Sequence, residues 1–163
     1  VLQSMASGRG GAVNGVGAES KGVVYAERVE TTWPFRVLLP VGTHVPFHCT
    51  ASGKTYLANL PAAKRRILLA SLDLHAYTDC THTSIDTLED ELQRVRKNGY
   101  ALDMEEFHEG MIAIAVPVLD SQRRYVAALA MHGPKQRFGL DDAMARRSLL
   151  IESAKVISQT FGY

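Results

Sequence analysis

The chain has 163 residues, 46% apolar and 21% charged, an ordinary composition for one folded domain with a sizeable core. Its formal net charge of +1 leaves no electrostatic footprint for nucleic acid, and no basic amphipathic helix suggests a membrane surface. The two cysteines, Cys49 and Cys80, form no CxxC pair and no disulfide framework, which fits a reduced, cytoplasmic protein.

The opening "VLQSMASGRGG" lacks the apolar core of a signal peptide and the arginine bias of a transit peptide. It reads as a frayed helix end followed by a flexible segment, as expected of a chain that begins partway into a protein. Strand-like segments follow: "AVNGVGAE", "GVVYAERVE" and "FRVLLP", the first two joined by the turn "ESKG" as a hairpin or meander. Asn14-Gly15 and Gly17 weaken the first strand and mark an edge or a bulge. "TASGKTYLANL" opens a short helix with Thr50 or Ser52 as N-cap. Pro61 takes the N1 position of the next helix, and "DLHAYTDCTHT" is a polar loop. "DTLEDELQRVRKNG" is the clearest helix. Asp86 and Glu89 have capping-box spacing, Leu88, Leu92 and Val95 form one apolar stripe, and Asn98-Gly99 stops it. "YALDMEE" resumes as a strand. "MIAIAVPVLD" and "YVAALAMHG" flank "DSQRR" as a hairpin apolar on both faces. A long helix closes the chain with Leu150, Ala154, Ile157 and Phe161 on one stripe. This order favours an α+β domain, an antiparallel sheet flanked by helices, with no room for a helix-turn-helix.

"HCTASGKT" ends like a phosphate-binding P-loop, but the pattern needs glycine five residues before Gly53, where His48 stands. Pro40 and Pro46 also spoil the buried strand that should precede such a loop. What remains at Ala51-Ser52-Gly53 is a helix start, whose unpaired amides suit a carboxylate as well as a phosphate. Asp103 alternates away from Leu102 and Met104, so it faces inward and needs a partner or a site. Glu105, Glu106 and Glu109 read as a solvated rim. Ala113, Ala115, Ala127, Ala128 and Ala130 either admit a close-packed helix or leave room for a ligand. His132 shares the face of Ala128 and Ala130. His75, Asp79, Cys80 and His82 lack the paired spacing of a structural zinc site, so neither a metal nor a cofactor is expected.

Three blocks, "VGTHVPFHCTASGKTYLANLP", "LEDELQRVRKNGYALDMEEFHEGMIAIAVPVLD" and "AALAMHGPKQRF", resemble in order and spacing the C-terminal effector-binding domain of the isocitrate lyase regulator (IclR) family of bacterial transcription factors. The resemblance implies a GAF/profilin-like fold over residues 21–163, with residues 1–20 as an N-terminal remnant and first strand region. It implies a sensor of a small organic acid rather than an enzyme. Such a sensor self-associates as a dimer or tetramer and reaches DNA only through a winged helix-turn-helix absent from this chain. It places the pocket at Ala51, Ser52, Gly53, Asp103, Met111, Ala113, Ala130 and His132, with Trp33 or Phe35 stacking near the entrance. Relatives that bind small keto acids tend to carry cysteine or serines where this chain has Ala113, Ala130 and His132, so a larger acid, aromatic ones included, is expected. The rival expectations are a GAF-like enzyme such as a free methionine sulfoxide reductase, which needs a reactive cysteine, and an oligomerisation module that binds no ligand.

Overall fold

The computed structural model describes residues 12–19, 22–29 and 44–159, so Trp33, Phe35, Phe161 and the expected strand "FRVLLP" lie outside the described residues. The elements in chain order are β1 (Ala12–Glu19), β2 (Gly22–Val29), β3 (His44–Val45), α1 (Ala51–Asn59), α2 (Ala62–Ser71), α3 (Ile85–Asn98), β4 (Ala101–Met104), β5 (Met111–Leu119), β6 (Tyr125–Pro134) and α4 (Leu140–Gln159). The strands form one sheet in the order β3-β2-β1-β6-β5-β4, and every pairing is antiparallel. This is the expected α+β arrangement. β1 carries the expected bulge, between Gly15 and Val16. It is not an edge, because β2 and β6 pair with it on either side, and bonding along both edges offsets the weakness of its glycines.

Alternation along β5 and β6 divides the apolar residues by size. Ile112, Ile114, Val116, Val118, Leu129 and Met131 pack with Phe138, Ala143, Leu150 and Ala154 on the α4 side. Ala101, Ala115, Ala128 and Ala130 pack on the other side with Ala51, Leu57 and Ala58 of α1 and with Leu88, Leu92 and Val95 of α3. Large side chains make the α4 face the thicker core, each contributing about 1.5–3 kcal/mol on burial. Alanines on the opposite face let α1 approach the strands closely.

The helix ends follow local chemistry, with two corrections. Thr50 caps α1, its hydroxyl accepting from the Gly53 amide at 3.0 Å. Pro61 is the N-cap of α2 rather than its first helical residue, because its ψ of 140° is extended. Ser84 caps α3 by accepting from the Thr87 amide at 3.3 Å. Asp86 lies inside the first turn, where its charge meets the positive end of the helix dipole. Gly99 ends α3 in the left-handed region at φ 77°, a conformation that costs glycine little.

Candidate functional site

Sheet register aligns the strand-borne members of the expected site. Asp103 lies opposite Ala113, and Ala113 lies opposite His132, giving one row across β4, β5 and β6. The next row is Ala101, Ala115 and Ala130, and Met111 lies opposite Pro134 at the end of β5. Two strand spacings put Asp103 about 10 Å from His132. Ala115 and Ala130 are buried under the helix layer, whereas Ala113 and His132 keep accessible surface.

The tip itself is narrower than the sequence implies. The Gly53 amide already donates to Thr50, and a side chain at Gly53 would collide with the Phe47 backbone. Gly53 is thus needed for close approach to the Phe47 backbone, and its amide is engaged by the Thr50 cap. Among the described residues, the amides of Ala51 and Ser52 meet no acceptor. These two keep the anion-binding property of a helix start.

Lys54, the lysine of the Gly-Lys-Thr signature, turns inward instead of toward a phosphate. It is 1% exposed, with Nζ 3.1 Å from Glu91 Oε1 and 2.7 Å from Glu106 Oε2. His82 Nε2 lies 3.1 Å from the other Glu106 oxygen. Glu106 is therefore buried and paired, which corrects its assignment to a solvated rim. The rim itself is only partly solvated, since Glu105 binds Lys135 Nζ at 2.8 Å and the Gly110 amide at 2.9 Å.

Asp103 belongs to the same cluster. Its Oδ1 accepts from the Glu106 amide at 2.8 Å. Burial, then the nearby Glu106 charge, push its carboxyl up to about 7, against the lowering pull of the Glu106 amide and Lys54. Near neutrality Asp103 can accept a hydrogen bond as carboxylate or donate one as acid. Cys49 is fully buried. Burial and the charges of Asp103 and Glu106 push its thiol far up, so it supplies no thiolate for sulfoxide chemistry.

On the loop side of the tip, a cavity of about 420 Å³ lies between Phe47, His48, Leu72, His75, Tyr77 and Phe107. His48 Nε2 donates to the His75 carbonyl at 2.9 Å, fixing one wall. No cluster of three or more metal-ligating side chains forms among the described residues.

Sequence reading missed Lys54 and Glu106, although the Gly-Lys-Thr run marked the lysine. It also missed Tyr125, whose ring stands edge-on to Tyr56 at 5.2 Å while Tyr56 stacks on Phe47 at 5.1 Å.

Residues 1–159 match the family described as "Bacterial transcriptional regulator IclR C-terminal". The probable transcriptional regulator SauR of Cupriavidus necator is 42% identical over 88% of this chain and 57% of its own length. The chain thus spans little more than half of that relative. The solved Thermotoga maritima IclR superposes with a TM-score of 0.93 at 30% identity, over 99% of this chain and 66% of that one. The inducer-binding domain of PobR from Acinetobacter, a double mutant in complex with 3-hydroxybenzoic acid, superposes with a TM-score of 0.83 at 27% identity, over 96% and 93%. These relatives are named as transcription factors rather than enzymes. No helix among the described residues is long and apolar enough to cross a membrane.

Proposed function

Since this chain belongs to the IclR C-terminal family of bacterial transcriptional regulators, we propose that it is the cytoplasmic sensor of a regulator that reads DNA through another domain, and that it binds a small organic acid of aromatic type. What supports this reading is that Ala51 and Ser52 at the α1 tip have amides without an acceptor among the described residues, and that sheet register sets Asp103, Ala113 and His132 in one row. The ligand's carboxylate sits on the amides, aided by the helix dipole. Asp103 accepts from a ligand hydroxyl, His132 pairs with a second polar group, and Met111, Ala113 and Ala130 give apolar contact. The effector acts by favouring one arrangement of a dimer or tetramer, because a ligand of equal affinity for two states shifts neither.

The alanines in place of polar residues support a larger and less polar acid than a short keto acid, and a benzoate-type ligand in a similar domain fits that size. Calorimetric titration with hydroxybenzoates and with glyoxylate and pyruvate tests this. Hydroxybenzoates are expected to bind more tightly; tighter keto-acid binding overturns the assignment of ligand size. Asp103→Ala is expected to weaken a hydroxybenzoate about tenfold more than benzoate, because a hydrogen bond to a charged group is lost. Equal weakening of both removes Asp103 from the contact.

A further inference from the structure

The cavity on the loop side of the α1 tip lies apart from the row of Asp103, Ala113 and His132, none of which lines it. Its volume of about 420 Å³ is that of a small-molecule site. Ring-bearing side chains make much of its wall, namely Phe47, His48, His75, Tyr77 and Phe107. Tyr77 is central among them. Its ring centroid lies 4.9 Å from that of His75, 5.2 Å from Phe107 and 6.0 Å from His48. The His75 and Phe107 rings stand at 86° and 74° to it, so these rings turn corners instead of forming a flat stack. The bond from His48 to the His75 carbonyl holds two of the rings in place. Tyr77 still keeps 45% of its surface exposed.

The fixed charge at this cavity has one sign. Asp73 lines it, and among the described residues no lysine or arginine does. The Asp73 side chain is exposed and, among the described residues, has no hydrogen bond or ion pair. Its charge nevertheless reaches the wall: burial, then Cys49, then Asp73 raise the Tyr77 hydroxyl above its ordinary pKa. Leu72, which also lines the cavity, is the C-cap of α2, and the last turn of that helix carries no basic residue. No side chain of that turn therefore offsets the negative end of the α2 dipole.

An aromatic wall, a free carboxylate and a helix C-terminus all favour a positive ligand. Among the described residues no three metal-ligating side chains cluster, so the cation that fits is organic. We propose that this cavity is a second ligand site, taking a small quaternary ammonium ion against the rings of Tyr77, His75 and Phe107 with Asp73 as its counter-charge. The site is independent of the acid-sensing reading, since the two share no residue.

Calorimetry with choline and with its uncharged isostere 3,3-dimethyl-1-butanol, in which carbon replaces the ammonium nitrogen, tests the proposal. Wild type is expected to bind choline at least about tenfold more tightly than the alcohol. Asp73→Asn is expected to cut that preference to about threefold or less, and Tyr77→Leu to weaken choline about tenfold. Both side chains are exposed, so both variants are expected to melt close to wild type. Any acid that binds wild type is expected to bind them equally well. Absence of choline binding, or equal binding of the two probes by wild type, overturns the proposal. A preference that survives Asp73→Asn overturns it too, as does full choline affinity in folded Tyr77→Leu. If Tyr77→Leu does not fold, Asp73→Asn alone decides. Displacement of choline by an acid that binds wild type would put both in one pocket and end the case for a second site.

Discussion

Asp103 holds its proton about three pH units longer than a solvated aspartate. The cause is local: the side chain is 7% exposed, the Glu106 charge lies beside it, and the Glu106 amide, Lys54 and the Phe107 amide only partly compensate. The folded-state pKa of about 7 exceeds the ordinary 3.8, so between these values the folded chain binds more protons than the unfolded one. Stability from this residue is complete below about pH 4 and is lost as pH rises through 7, by on the order of 4 kcal/mol if the shift is fully expressed. Asp103→Asn keeps the Oδ1 acceptor for the Glu106 amide and abolishes the titration. Urea denaturation is expected to show the variant as more stable than wild type at pH 8, with the gap closing toward pH 4. Parallel pH profiles for the two proteins would show that Asp103 titrates normally. The same proton also bears on binding. In the proposed site an anionic effector is expected to raise the carboxyl further, so that its binding takes up protons and weakens as pH rises past neutrality, which calorimetry in buffers of different ionisation enthalpy measures.

At the scale of elements, Lys54 ties three of them together, joining α1 to Glu91 on α3 and to Glu106 in the turn after β4. Removing one side of a buried pair leaves an uncompensated charge, which costs about 3–5 kcal/mol. Lys54→Met is expected to destabilise by that order, and Lys54→Met with Glu106→Gln by clearly less than the sum of the single changes. A double-mutant cycle from urea titrations measures the coupling, and strict additivity would show that the ion pair contributes nothing. This network was illegible in the sequence. Lysine and glutamate default to solvent, and Lys54 and Glu106 stand 52 positions apart, so no local pattern joins them. The hairpin of β5 and β6 was legible, because period-two alternation survives when both faces are apolar. The α3 stripe of Leu88, Leu92 and Val95 was legible for the same reason at helical period. Helix starts were legible only to within a residue or two, since Pro61 and Ser84 are caps by virtue of extended backbone angles that composition does not reveal. The face of Tyr125 could not be read either: the register shifts between Val118 and Leu119, a bulge that reverses alternation, and nothing around Val126 announces it.

Across the whole molecule the sheet separates two duties. The α4 side buries Ile112, Ile114, Leu129, Met131, Phe138 and Leu150 at 1% exposure or less and carries no member of the titratable cluster. The other side holds the small residues, the ion network and the helix tip. Stability and recognition are therefore expected to respond to different substitutions. Leu150→Ala opens a cavity in the thicker core and should cost about 2–5 kcal/mol, while the affinity for whichever acid binds most tightly stays within about twofold at a temperature where both proteins are folded. Ala113→Leu should do the reverse. Ala113 keeps accessible surface in the row between Asp103 and His132, so in the proposed site the added carbons take the effector's place. Its melting temperature should change little and its affinity should fall at least tenfold. Thermal unfolding paired with calorimetric titration of both variants decides the matter. If Leu150→Ala loses effector binding while folded, or Ala113→Leu retains it, the two faces are coupled through the strands they share, and the pocket does not lie over the row from Asp103 to His132.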